Sequence, residues 1–305
     1  MPYRLSFAEE PAAGLRRCAR EQLEEAIEQL ARRRADDPVN AVHDARKCLK
    51  KTRAVLRLAK PELDKRSYRR ENRALRDVAR ALSAVRDAGV LVETIDDLER
   101  RFPGQVPAGT FSTPRRGLEA QVRASRLGDP TVAQLVDDLR DALGRVEDWP
   151  LDGASWDTLG RGAVRSFRGA RKAAVLVVDD ATTENLHEWR KRVKDHWYHQ
   201  QLLAEAWPTL MVAQAKAAHA LADALGNHHD LTLLARRLTD DGPLSSGGVD
   251  DDELLGLTAR RQAELAETAT RIGQRLFAEA PKAYRRRVTR YLRAAALEQQ
   301  IATPL

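Results

Sequence analysis

Apolar residues return along most of this chain at steps of three and four, the period of a helix with one buried face. Val42, Ala45, Leu49, Leu56 and Ala59 form such a series, as do Leu75, Val78 and Leu82, and again Leu186, Trp189 and Val193. Alternating runs of β-branched residues do not occur, and Ala, Leu, Arg and Glu fill the intervals, so the pattern predicts an all-α fold. Helices are expected near 11–34, 38–60, 62–84, 87–102, 114–127 and 130–147, then near 154–178, 182–206, 208–226, 229–241, 250–279 and 281–299. Pro38, Pro61, Pro130, Pro208 and Pro281 stand where helices would begin, and Asp87, Asp129 and Asp230 read as N-caps. Segments 103–114 and 242–249, rich in Pro, Gly and Ser, are expected to be loops.

One helical segment occurs twice. His43, Arg46, Lys47 and Lys50 return as His187, Arg190, Lys191 and Lys194, each 144 residues later. A second echo pairs the stretch from Leu82 to Asp87 with that from Leu225 to Asp230, displaced by 143 residues. Two matches at nearly one displacement point to a duplicated unit. The expected architecture is two pseudo-symmetric antiparallel helical bundles, one in residues 1–150 and one in 151–305, joined near Trp149-Pro150-Leu151-Asp152-Gly153.

The polar positions of the repeated helix carry the candidate chemistry. With His43 at zero on a helical wheel, Arg46, Lys50, Arg53 and Arg57 fall at roughly 280° to 340°, while the apolar series falls at roughly 160° to 260°. The cationic stripe therefore abuts the core-facing stripe. Cations in that position are partly desolvated, which costs free energy unless an anion offsets it. The chain as a whole has 52 Lys+Arg against 45 Asp+Glu, formally +7, so clustering rather than net charge argues for an acidic partner. Cys18 and Cys48 have no metal-ligand spacing and suit a reducing cytoplasm. No apolar run is long enough to span a bilayer.

The duplicated His-x-x-Arg-x-x-x-Lys helix, with a Leu-Ser/Gly-x-x-x-Asp segment downstream in each half, resembles the CHAD family of conserved-histidine α-helical domains. The resemblance covers essentially the whole chain. It implies helices in two pseudo-symmetric halves that bind inorganic polyphosphate on a basic surface between them, with some relatives at polyphosphate granules. Carried onto matching positions, it implies His43, Arg46, Lys50 and Arg53 in the first half and His187, Arg190 and Lys194 in the second. Lys47 and Lys191 belong to the same repeated segments, and Arg57 continues the first stripe. No Glu-x-Glu-x-Lys triphosphatase signature occurs, so the resemblance implies a stand-alone binding module.

Further cations recur with the same spacing. Arg69, Arg73, Arg76 and Arg80 form a second row, readable either as a solvated face or as the other wall of one groove beside the His43 helix. Their second-half counterparts are Val212, Lys216, His219 and Asp223, so that row is mostly lost there. Arg161, Arg165, Arg168 and Lys172, with Arg171 beside them, form another, which reads equally well as an exposed face. Because the second-half stripe passes into Trp197 and Gln201, the first half is expected to contribute more of the binding.

No phosphate-cradling Gly-rich loop, dinucleotide fingerprint or nucleophile elbow is present, and no carboxylates recur inside the stripes to hold Mg²⁺. The expectation is a non-enzyme without cofactor or metal; His228-His229-Asp230 aligns with Val85-Arg86-Asp87, where no ligand set exists. A nucleic-acid-binding or acidic-protein-binding scaffold is the alternative. Aromatic residues are only 5% of the chain and Trp189 faces the core, which argues against nucleic acid for want of a stacking platform. The oligomeric state is not legible.

Overall fold

A computed structural model describes residues 3–107, 109–124, 128–239, 244 and 249–302. Those residues form α-helices, two short 3₁₀ turns at Arg33–Ala35 and Ala204–Ala206, and no strand; the fold is all-α. The helices are α1 (Pro11–Ala31), α2 (Pro38–Ala59), α3 (Lys65–Ala81), α4 (Ser83–Arg101), α5 (Ser112–Ala124), α6 (Asp129–Gly144), α7 (Trp156–Asp179), α8 (Thr183–Leu202), α9 (Pro208–Thr239), α10 (Val249–Leu276) and α11 (Pro281–Ala302).

Local chemistry starts most of them. Asp37 accepts from the Asn40 amide at 3.1 Å, with Pro38 as the first residue of α2. Ser155 and Thr158 form a capping box at the start of α7, and Thr182 accepts from the Asn185 amide to open α8. Other expected starts move. Pro61 lies in the turn before α3, whose N-cap is Asp64, accepting from the Arg66 and Ser67 amides. Asp129 is the first residue of α6 rather than its cap, and its carboxylate bonds Arg34.

Asp87 and Asp230, expected as N-caps, both lie inside helices. In the first half the break falls five residues earlier than Asp87, at Leu82 (φ −73°, ψ −8°), and Arg46 Nη1 donates to the Leu82 carbonyl at 3.1 Å. That bond ties α2 to the junction of α3 and α4. In the second half no break occurs, and the two helices expected at 208–226 and 229–241 are the single α9. Gly226 stays helical there, with the Arg190 guanidinium 3.6 Å from where its Cβ would lie.

One apolar cluster runs from Leu5 and Leu15 through Leu49, Leu98, Phe167 and Trp189 to Leu292. It includes Trp149 and Leu151 of the expected joint, while Pro150, Asp152 and Gly153 between and after them are exposed. Helix pairings in the first run have counterparts in the second: α1 packs on α2 and α6, and α7 packs on α8 and α11. Between the runs, α2 lies against α7 and α8, and α4 against α9 and α10. The two helices carrying the repeated motif therefore touch directly.

Candidate functional site

On α2 the expected radial order is present. Val42, Ala45, Leu49, Leu56 and Ala59 are buried, and His43, Arg46, Lys50, Arg53 and Arg57 sit half-buried beside them. Lys47, one position further round, is exposed and pairs with Asp44 at 3.1 Å. Arg53 donates from Nε to Asn72 Oδ1 at 3.2 Å. Burial, then the neighbouring Arg57, pull the Arg53 pKa down to about 10. Arg57 reaches across to α8 and pairs with Asp195 at 3.1 Å, a carboxylate whose pKa is nonetheless raised by burial.

On α8, Leu186, Trp189 and Val193 are buried and Arg190 and Lys194 are half-buried at the contact with α2. Two clefts open there. The narrow one, about 430 Å³, is lined by Arg46, Lys50, Arg53 and Arg57 from α2 and by Arg190, Lys191, Arg192 and Lys194 from α8, with Glu188, Asp195, Tyr198, His229 and Asp230. Eight cations thus meet three carboxylates. Asp195 pairs with Arg57, and Glu188 with both Lys191 and Arg192. The wide cleft, about 780 Å³, adds His43, Lys47 and Lys51 from α2 and Lys216 from α9. Lys50, Arg190, Lys194, Tyr198 and Asp230 line both clefts, so the two adjoin at the contact of the motif helices.

The two motif histidines differ in place. His43 lines the wide cleft. His187 lines neither cleft and packs against His229, ring centroids 4.3 Å apart. Burial first, then Arg190 and His187, lower the His229 pKa to about 4, and burial with Lys191 and Arg190 lowers that of His187. His229 is therefore the imidazole facing the narrow cleft, held by the one the motif marked.

Besides His187, six expected site residues are not brought to the clefts. Arg73, Arg76 and Arg80 are exposed on α3; Arg73 and Arg76 line a separate concavity with Tyr68, Arg69 and Asn72. Arg76 pairs with its neighbour Asp77 at 3.0 Å, though its charge still contributes to the field that lowers Arg53. Arg168 and Lys172 are exposed on α7, and Arg171 donates to the Phe277 carbonyl at 3.1 Å. The α2 and α7 rows share the same spacing, but α7 turns its cations away from the α2–α8 contact.

Other lining residues went unread. Arg192 and Lys51 lie off the repeated spacing, and His229 and Asp230 sit in the second echo, where a cap was expected. Val212, Lys216, His219 and Asp223, the counterparts of the α3 row that looked lost, all line the wide cleft. Trp197 lines it too, stacked on Tyr198 at 4.7 Å and on His219 at 4.2 Å. The 143-residue displacement was the signal that pointed to these positions.

The CHAD domain family model matches residues 17–239, ending with α9. Among solved structures, PptA from Streptomyces chartreusis is similar in fold, with a TM-score of 0.58 at 16% sequence identity, covering 89% of this chain and 100% of that one. No curated protein matches the chain.

Proposed function

Since the chain belongs to the CHAD domain family, we propose that it binds inorganic polyphosphate, without catalysis, along the basic clefts between α2 and α8. The observation that carries this reading is the convergence of eight cations from the two motif helices on one narrow cleft with only three carboxylates. Burial of Arg53 beside Arg57 destabilises its charged form, and a bound polyanion would relieve that cost. Arginine forks and lysine point charges suit phosphoryl oxygens, and two facing rows match a ligand with charge along its whole length. His43 contacts the ligand and His187 acts through His229. The two helical runs, 1–150 and 151–305, are taken as duplicated units that each supply one wall, in a cytoplasmic protein associated with polyphosphate granules. No helix among the described residues is long and apolar enough to cross a membrane.

Calorimetry with orthophosphate and long-chain polyphosphate tests the reading. Affinity is expected to rise with chain length and to fall steeply with added salt, because binding releases condensed counterions. Equal affinity for orthophosphate and long chains, or tighter binding of single-stranded DNA at matched salt, overturns it.

A further inference from the structure

The wide cleft has a second chemical character that a bare phosphate chain does not use. Trp197 lines it and stacks with two ring neighbours, Tyr198 (4.7 Å, 24° between planes) and His219 (4.2 Å, 23°). The His219 side chain is 49% exposed and bonds Asp223 through Nδ1 at 2.8 Å. Val212, Ala215 and Ala222 add an apolar floor, and the amides of Gln201 and Asn227 line the same cleft. Stacked rings, apolar carbon and a few amide donors and acceptors are what a planar heterocycle needs, and the volume of about 780 Å³ is that of a small-molecule site.

We propose that the wide cleft takes the base of a nucleoside triphosphate. The base stacks on the Trp197–His219 rings, and its phosphates run over Lys50, Arg190 and Lys194 into the narrow cleft. The direction follows from the lining. Those three cations line both clefts, whereas Tyr198 is the one phenol or indole ring at the narrow cleft among the described residues. A single-stranded nucleic acid needs stacking platforms repeated along its length, and here Trp197 and His219 line the wide cleft and not the narrow one. The proposal rests on the reading that these cations hold a phosphate chain.

Calorimetry with ATP, inorganic tripolyphosphate and long-chain polyphosphate separates the two ideas, tripolyphosphate carrying the three phosphoryl groups without a base. Wild-type protein is expected to bind ATP about tenfold more tightly than tripolyphosphate, the low end of base–aromatic stacking. Trp197→Leu and His219→Ala should each reduce that preference to about threefold or less, while long-chain polyphosphate affinity stays within about twofold. No ATP preference in the wild type, or a preference that survives both substitutions, overturns the proposal with the polyphosphate reading intact. Loss of long-chain binding in the wild type overturns the underlying reading instead. If Trp197→Leu loses its helical circular dichroism, His219→Ala alone decides, because that side chain is half exposed.

Discussion

At the residue scale, the cations of α2 show how one side chain can serve fold and site together. Arg46 bonds the Leu82 carbonyl at the α3–α4 junction and also lines the narrow cleft. His199 shows the opposite case, a titratable group given wholly to structure. It is 1% exposed, and Nε2 donates to the Ala54 carbonyl on α2 at 3.0 Å, which makes Nδ1 the acceptor facing Ser166 Oγ at 2.8 Å. Burial holds its pKa down to about 4, against 6.5 for the ordinary imidazole. Nearby His196 is held at about 3 for the same first reason. In the unfolded chain both take up a proton first, so stability is whole above about pH 6.5 and is lost as pH falls toward 4. His199 alone accounts for a loss on the order of 3 kcal/mol. Urea midpoints measured across that range should fall steeply for the wild type and less for His199→Gln, which starts lower at neutral pH. Equal acid losses in the two proteins would remove His199 from the account. His196 and His199 lie outside the repeated motif that marks His43, and their sequence positions alone do not give them a structural role. Their difference is burial, which depends on what α7, α2 and α11 place around them.

At the element scale, α2 and α7 approach each other closely where the two helical runs meet. A Cβ on Gly162 would lie 2.1 Å from the Leu58 carbonyl oxygen, and a backbone atom has no rotamer by which to give way. Gly162→Ala is therefore expected to cost about 3 kcal/mol or more, at the upper end of overpacking. Gly256, in α10 with open space around it, is the control; Gly256→Ala should stabilise by about 0.5 to 1 kcal/mol through backbone entropy. Thermal unfolding followed by circular dichroism reads both changes, and an unshifted midpoint for Gly162→Ala would mean that the crossing is loose. Helix existence was legible because each buried series is local and periodic. The continuity of α9 was not, because Gly226 and Asn227 resemble a break until Arg190 and the α8 surface are packed against them.

At the scale of the whole molecule, the motif helices of the two halves each place four cations on the narrow cleft. Arg190 and Lys194 line both clefts, as Lys50 does, whereas Arg46 lines only the narrow one. Replacing Arg190 and Lys194 together by Ala is thus expected to weaken long-chain polyphosphate binding at least as much as replacing Arg46 and Lys50, each pair costing about 2 to 4 kcal/mol through lost charge-assisted contacts. Calorimetry on both variants, with thermal melts to correct for the Arg46–Leu82 bond, checks this; a tenfold smaller loss for the second pair (about 1.4 kcal/mol) would restore the first-half dominance. The amino-acid sequence by itself determined the all-α class, most helix starts and the position of each cation relative to its own helix's buried stripe, since all three depend on residues within a few turns of one another. It could not rank the cationic rows: α2 meets the cations of α8 across two clefts, while the equally spaced row of α7 faces outward. It also hid the ring stack of Trp197, Tyr198 and His219, whose members lie on two helices. Which helix faces which is decided by pairings over a hundred residues apart, sealed by contacts such as Gly162 on Leu58, and no local pattern carries that information.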